Sequence, residues 1–164
     1  MVRAVLDVRV VAAGLLAPSG PCADVLRAWL AGSFDLWSSP AHQHELERVL
    51  RHPTMAGRVA AGEAAAVVEL IRSNGLVVDD EFTKSRPAAD AGLGSPVLSL
   101  ARSVKAVVVT SDDDLLALAG EAPVLSPAQF LEVLEEPDPS ADGFVLKPNR
   151  YACIGVGRDE GGMQ

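Results

Sequence analysis

Three acids are placed where a chain of this kind could do chemistry. Asp7 closes the β-favouring run Val2 to Leu6, Glu45 lies in a helical stretch opened by Ser39-Pro40, and Asp112 follows the apolar run Ala106 to Val109 and Thr110-Ser111. Ala106 to Val109 has the length and β-branching of a buried strand, and Asp112-Asp113-Asp114 then leads into the helical Leu115-Leu-Ala-Leu118. In open α/β sheets ligands bind beyond the carboxyl ends of the strands, so acids at strand–helix joints stand where a ligand would sit. Crowded carboxylates raise one another's pKa unless a cation joins them. Hard oxygen ligands of this type suit Mg²⁺ or Mn²⁺, and such sites hydrolyse phosphodiesters. The plainer readings are local. Ser111 and Asp114 fit a capping box, acids in a first turn complement the helix dipole, and Glu45 at the side of the Leu46, Val49, Leu50 stripe can be an ordinary solvated glutamate.

The elements that would position these acids alternate along the chain. Val8 to Leu16 turns toward helix after the first strand, and Pro18-Ser-Gly-Pro21 breaks it. Pro21 to Ala31 reads as a helix with Val25, Leu26, Trp29 and Leu30 at helical spacing and Gly32 just past its end. Trp29 belongs to the core on this spacing. Phe34 to Trp37 is a short strand, and Ser39-Pro40 supplies an N-cap and a proline in the first turn of the helix that carries Glu45. That helix ends before His52-Pro53. A long alanine-rich helix from Ala60 to Ser73 is closed by Asn74-Gly75, and Leu76 to Val78 reads as the next strand.

Residues 79–94 form an irregular stretch of the length that functional loops have. Ser95-Pro96 opens a helix running through Arg102, Pro123 to Leu125 is a last short strand, and Ser126-Pro127-Ala-Gln129 is a capping box. Strands alternating with helices predict an α/β fold with a central, mostly parallel sheet covered on both faces. Residues 1–136 then make one domain. From residue 137 the composition turns to Pro, Gly and Asp, with a short strand at Phe144 to Leu146, and 137–164 reads as a C-terminal tail, partly disordered or docked on the domain.

Composition bounds the function. A chain of 164 residues, 49% hydrophobic, supplies one ordinary core. Its formal net charge of -8 offers no broad basic surface to release counterions from a phosphate backbone, so contact with nucleic acid must be local or bridged by metal. Cys22 and Cys153 lie far apart and make no metal-ligand spacing, which suits a reducing cytosol with each thiol buried or idle. The apolar runs are too short for a signal peptide or a membrane span, so a cytoplasmic protein without membrane attachment is expected. His42, His44 and His52 cluster without an acid or cysteine at ligand spacing, and a surface helix explains them. A phospho-accepting signalling domain would need an acid pair beside the first strand and a lysine after a later one. Asp7 stands alone there, and no lysine is suitably placed.

Four motifs in order resemble the PIN-domain family, in particular the group described as toxin components of toxin–antitoxin systems. Val5-Leu-Asp7-Val-Arg-Val10 resembles the family's strand ending in Asp-Thr-Asn, and Ser39-Pro40 with Glu45-Leu46 and Val49-Leu50 resembles its acidic helix. Val109-Thr-Ser-Asp112-Asp-Asp114-Leu-Leu116 resembles its Thr-Gly-Asp-x-Asp-Leu-Leu, and Leu125-Ser-Pro-Ala-Gln-Phe-Leu131 its closing helix. The resemblance runs from Val2 to about Leu134. It implies an α/β/α sandwich, a divalent metal (Mg²⁺ or Mn²⁺) and endoribonuclease cleavage of single-stranded RNA. The protein partner it implies is an antitoxin that covers the site, and pairing with a second copy of the chain as a homodimer is left open by the sequence. By matching position, Asp7, Glu45 and Asp112 would hold metal or orient the attacking water, with Asp114 a fourth ligand. Two positions depart from the pattern. Val8-Arg9 stands where the family has Thr-Asn, and Gly94-Ser95 stands where it has an aspartate, with Asp90 the nearby acid that could substitute. An inward guanidinium at Arg9 could pair with Asp7 or Asp112 and take the place of a metal; outward, it changes little. The alternative implied is a degenerate PIN-like domain that binds RNA or a protein partner without cutting.

Overall fold

The computed structural model describes residues 1–80, 95–120 and 122–135. Within them the element order is β1 (Arg3–Leu6), α1 (Val8–Leu16), α2 (Pro21–Leu30), β2 (Asp35–Ser38), α3 (Pro40–Leu50), α4 (Pro53–Ala56), α5 (Ala61–Asn74) and β3 (Leu76–Val77), followed by α6 (Pro96–Val104), β4 (Val107–Val109), α7 (Asp113–Leu116), β5 (Val124–Leu125) and α8 (Pro127–Glu135). The five strands form one sheet in the order β3-β2-β1-β4-β5, and every neighbouring pair is parallel. The expected α/β architecture is therefore present, with a sheet that is wholly parallel.

The strand sequences explain why helices cover both faces. Successive side chains of a strand point to opposite sides, and parallel sheets are buried on both. Ala4 and Leu6 of β1 and Val107 and Val109 of β4 enter one core with Val10, Val25, Leu46, Ile71 and Phe130, which come from α1, α2, α3, α5 and α8. Val5 and Val108, one residue out of phase, enter a second core with Leu98, Leu100, Ala101 and Val104 of α6. Trp29 is packed in the first core as its spacing predicts. Phe130 is fully buried there and meets Phe34 edge to face, centroids 4.9 Å apart at 87°.

Several local signals hold. Ser39 accepts a hydrogen bond from the His42 amide at the start of α3, and Ser126 and Gln129 bond reciprocally at the start of α8. Two differ: Ser95 stands at the N-cap of α6 but its side chain makes no capping hydrogen bond, and the first turn of α7 is capped by Asp112, whose Oδ1 accepts from the Asp114 amide, and not by Ser111. Ser111 remains in the link from strand to helix, one residue before the cap. Leu30 is 64% exposed and stands outside the apolar stripe to which its spacing assigned it. The short α4, capped by His52, was not expected. Most of the irregular stretch (81–94, with Asp90 and Gly94) and all of the tail (with Cys153 and the Phe144 to Leu146 strand) lie outside the described residues.

Register places the candidate site. Leu6 pairs with Val109, and the Asp7 amide donates to the Val109 carbonyl at 2.9 Å, so Asp7 and Thr110 leave the sheet side by side. Ala4 pairs with Leu36, which sets Ser38 and Ser39 at the same level on the other side of β1.

Candidate functional site

Asp7 is 6% exposed and ends the central strand. It is the N-cap of α1: its Oδ1 accepts from the Arg9 amide at 3.2 Å, and its Oδ2 accepts from the Thr110 hydroxyl at 2.6 Å. Thr110 is fully buried, and its Oγ1 in turn accepts from the Asp112 amide at 3.0 Å. A single hydroxyl thus ties the two strand ends together and fixes where both aspartates start. Of the three acids expected to converge at this edge, Asp7, Glu45 and Asp112, the first and last are linked through Thr110.

Arg9 is what joins them electrically. Its backbone amide donates to Asp7, and its guanidinium donates across to Asp112, Nη1 to Oδ2 at 2.6 Å. The Arg9 side chain is 64% exposed and that of Asp112 21%. The inward orientation considered from sequence is the one adopted, with Asp112 as the partner. Val8, in the place of a hydroxyl residue, packs against the first core.

Glu45 lies on α3, in the second turn after Ser39, and its carboxylate is engaged by its own helix. Arg48 donates to it twice, Nε to Oε2 at 3.0 Å and Nη2 to Oε1 at 2.6 Å. That bidentate bond holds the Glu45 carboxyl below its ordinary pKa, against a smaller opposing effect of burial. Asp114 is exposed on the first turn of α7.

His42 is the residue that sequence reasoning misplaced. Both ring nitrogens are buried and neither has a hydrogen-bond partner. Burial pushes the imidazole below its ordinary pKa, while the Leu6 carbonyl, which is not in hydrogen-bonding geometry, and the Asp7 and Glu45 carboxylates pull more weakly the other way. Burial thus favours the neutral form of His42 over the charge that the two acids would stabilise. The available signal was its position four residues before Leu46 in the first turn of a helix that starts at the strand ends.

This geometry can be tested against a divalent ion. Among the described residues no group of three His, Cys, Asp or Glu side chains is placed to hold a metal. Asp112 has Oδ2 on a permanent cation and Oδ1 on a helix amide, Glu45 is clamped by Arg48, and both oxygens of Asp7 already accept hydrogen bonds. As arranged, the donor set does not fit the ion that the motifs imply.

The PIN-domain family model matches residues 3–115, well over half of the chain. The chain belongs to the PIN-domain family. Members are generally nucleases and usually use divalent metals. The match takes in the Asp7, Glu45 and Asp112 segments and stops before β5 and α8, so the closing helix of the resemblance lies beyond it. Comparison with curated proteins returned no match. No described helix is long and apolar enough to cross a membrane.

Proposed function

We propose that this PIN domain is a binding module that has lost metal-dependent cleavage, and that its partner is a protein presenting basic side chains. The observation that carries the reading is the Arg9–Asp112 contact at 2.6 Å, which sets a fixed cation on the aspartate best placed to take a metal. The Glu45–Arg48 pair supports it by engaging the third acid. A protein partner is favoured over RNA because Asp113 and Asp114 are exposed beside the site and the chain carries a net charge of -8. Such a surface repels phosphates and attracts Lys or Arg.

A second reading is supported by the family match and by Asp7 and Asp112 ending neighbouring strands. It is a toxin-type endoribonuclease cleaving single-stranded RNA, with Mg²⁺ or Mn²⁺ at Asp7, Glu45, Asp112 and Asp114 and an antitoxin covering the site. One pair of measurements decides. Incubation of the purified protein with single-stranded RNA and Mn²⁺ is expected to leave the RNA intact, and EDTA is expected to leave the melting temperature unchanged. Mn²⁺-dependent cutting that disappears in Asp112→Asn would instead establish the nuclease.

A further inference from the structure

We infer that the hollow between α3, α4 and α5 is a binding site for a small apolar monocarboxylate, an organic acid with a hydrocarbon or aryl body and a single negative charge. None of its lining residues belongs to the strand-end site, so the inference stands apart from the reading of that site.

The hollow has a volume of about 570 Å³. Small-molecule sites fall in the range of roughly 300–1,000 Å³. Its floor is Leu50 of α3, Val59 beyond α4 and Val68 of α5, all buried side chains of the first core. Ala64 and Ala65 form the α5 wall, and their short side chains leave the space between the helices unfilled. A hydrocarbon body placed there exchanges water for apolar surface, the main favourable term in such binding.

The charged rim decides which end group that body carries. Glu47 Oε1 accepts from Arg51 Nη2 at 2.6 Å, one turn along α3, and its Oε2 accepts from Arg72 Nη2 at 3.3 Å, across from α5. Two guanidiniums on one carboxylate leave a surplus positive charge at that end of the hollow. Each keeps N–H donors beyond the one it uses, and the planar fork of arginine matches a carboxylate. The Arg72 contact at 3.3 Å is longer than the roughly 2.7–2.9 Å of a strong charge-assisted bond, so Arg72 has the slack to engage a second carboxylate. Glu69, one turn before Arg72 on the same wall, makes no ion pair among the described residues. Together with Glu47 it repels the second charge of a phosphate, as does the net charge of -8. An amine would meet two guanidiniums, and an alcohol would leave the surplus charge unmatched.

The test titrates octanoate, octanol, octylamine and octyl phosphate into the full chain by calorimetry. Octanoate should bind at least about tenfold more tightly than each of the other three. Two variants should each weaken octanoate at least about tenfold: Arg72→Met, which keeps length and removes charge, and Ala65→Leu, which fills the hollow and leaves both guanidiniums. Glu69→Gln should narrow the gap between octyl phosphate and octanoate. Circular dichroism first shows each variant to be folded. Ala65 is exposed and leucine is close to alanine in helix propensity, so the filled variant keeps its helix. Absence of octanoate binding by wild type, or equal affinity in wild type and Arg72→Met, overturns the inference. So does tighter binding of octylamine or octyl phosphate, and so does an octanoate affinity unchanged in Ala65→Leu, which would put the ligand elsewhere.

Discussion

Thr110 uses its hydroxyl in both directions, donating to the buried Asp7 carboxylate and accepting from the Asp112 amide. Thr110→Val keeps the shape and leaves Asp7 Oδ2 without that donor in a place water does not reach. The expected cost is about 1–3 kcal/mol, measured as a lower urea midpoint with unchanged slope. His42 sets a different dependence. Its folded pKa is depressed by burial, so below the ordinary value of about 6.5 the unfolded chain binds the proton more readily. Stability is full above that pH and is lost as pH falls through the ordinary value toward the folded one. Melting temperatures taken from about pH 7 to about pH 5 should fall in wild type, and His42→Leu should remove part of that slope. Glu45 adds its own loss at lower pH, because its Arg48-bonded carboxyl has a depressed pKa that must be overcome by protonation.

At the scale of elements, α1 carries the site, and how closely it lies on α2 is set by a glycine. A β-carbon at Gly14 would stand 2.7 Å from Leu26 Cδ1 and 2.8 Å from the Cys22 carbonyl oxygen. The backbone oxygen cannot move aside as a side-chain tip can, so Gly14→Ala forces the helices apart in spite of alanine's better helix propensity. It should destabilise by about 1–3 kcal/mol. Gly62, near the start of α5, has open space where its β-carbon would go, and Gly62→Ala should stabilise by about 0.5–1 kcal/mol. Parallel thermal and urea unfolding of the two variants reads both signs. The elements themselves were legible because their signals are local. Ser39-Pro40 and Ser126 to Gln129 are caps whose partners lie within three residues, and the β-branched runs at Val5 and Val107 can bury side chains on both faces only in a covered sheet. The cap of α7 was misread by one residue because Ser111 and Asp112 are both good capping residues, and the sequence does not say which one turns the chain.

At the scale of the molecule, the sequence by itself determined the α/β class, the five strands found among the described residues and the placing of Asp7 and Asp112 at strand ends. These follow from hydrophobic period, chain connectivity and turn chemistry, all of which act over a few residues. The tertiary structure alone decided which charges meet. Arg9 and Asp112 are 103 positions apart, and their pairing at 2.6 Å requires Leu6 to lie level with Val109 across β1 and β4. Glu45 has Arg48 one turn away on α3, and its carboxylate is paired with that guanidinium. His42 was read as lying on a surface helix, yet both its ring nitrogens are buried, and that burial pushes its pKa below the ordinary value. Local pattern fixes where a side chain starts, but its partner and its charge state depend on what the rest of the chain brings within a few ångströms and on how much water is left there.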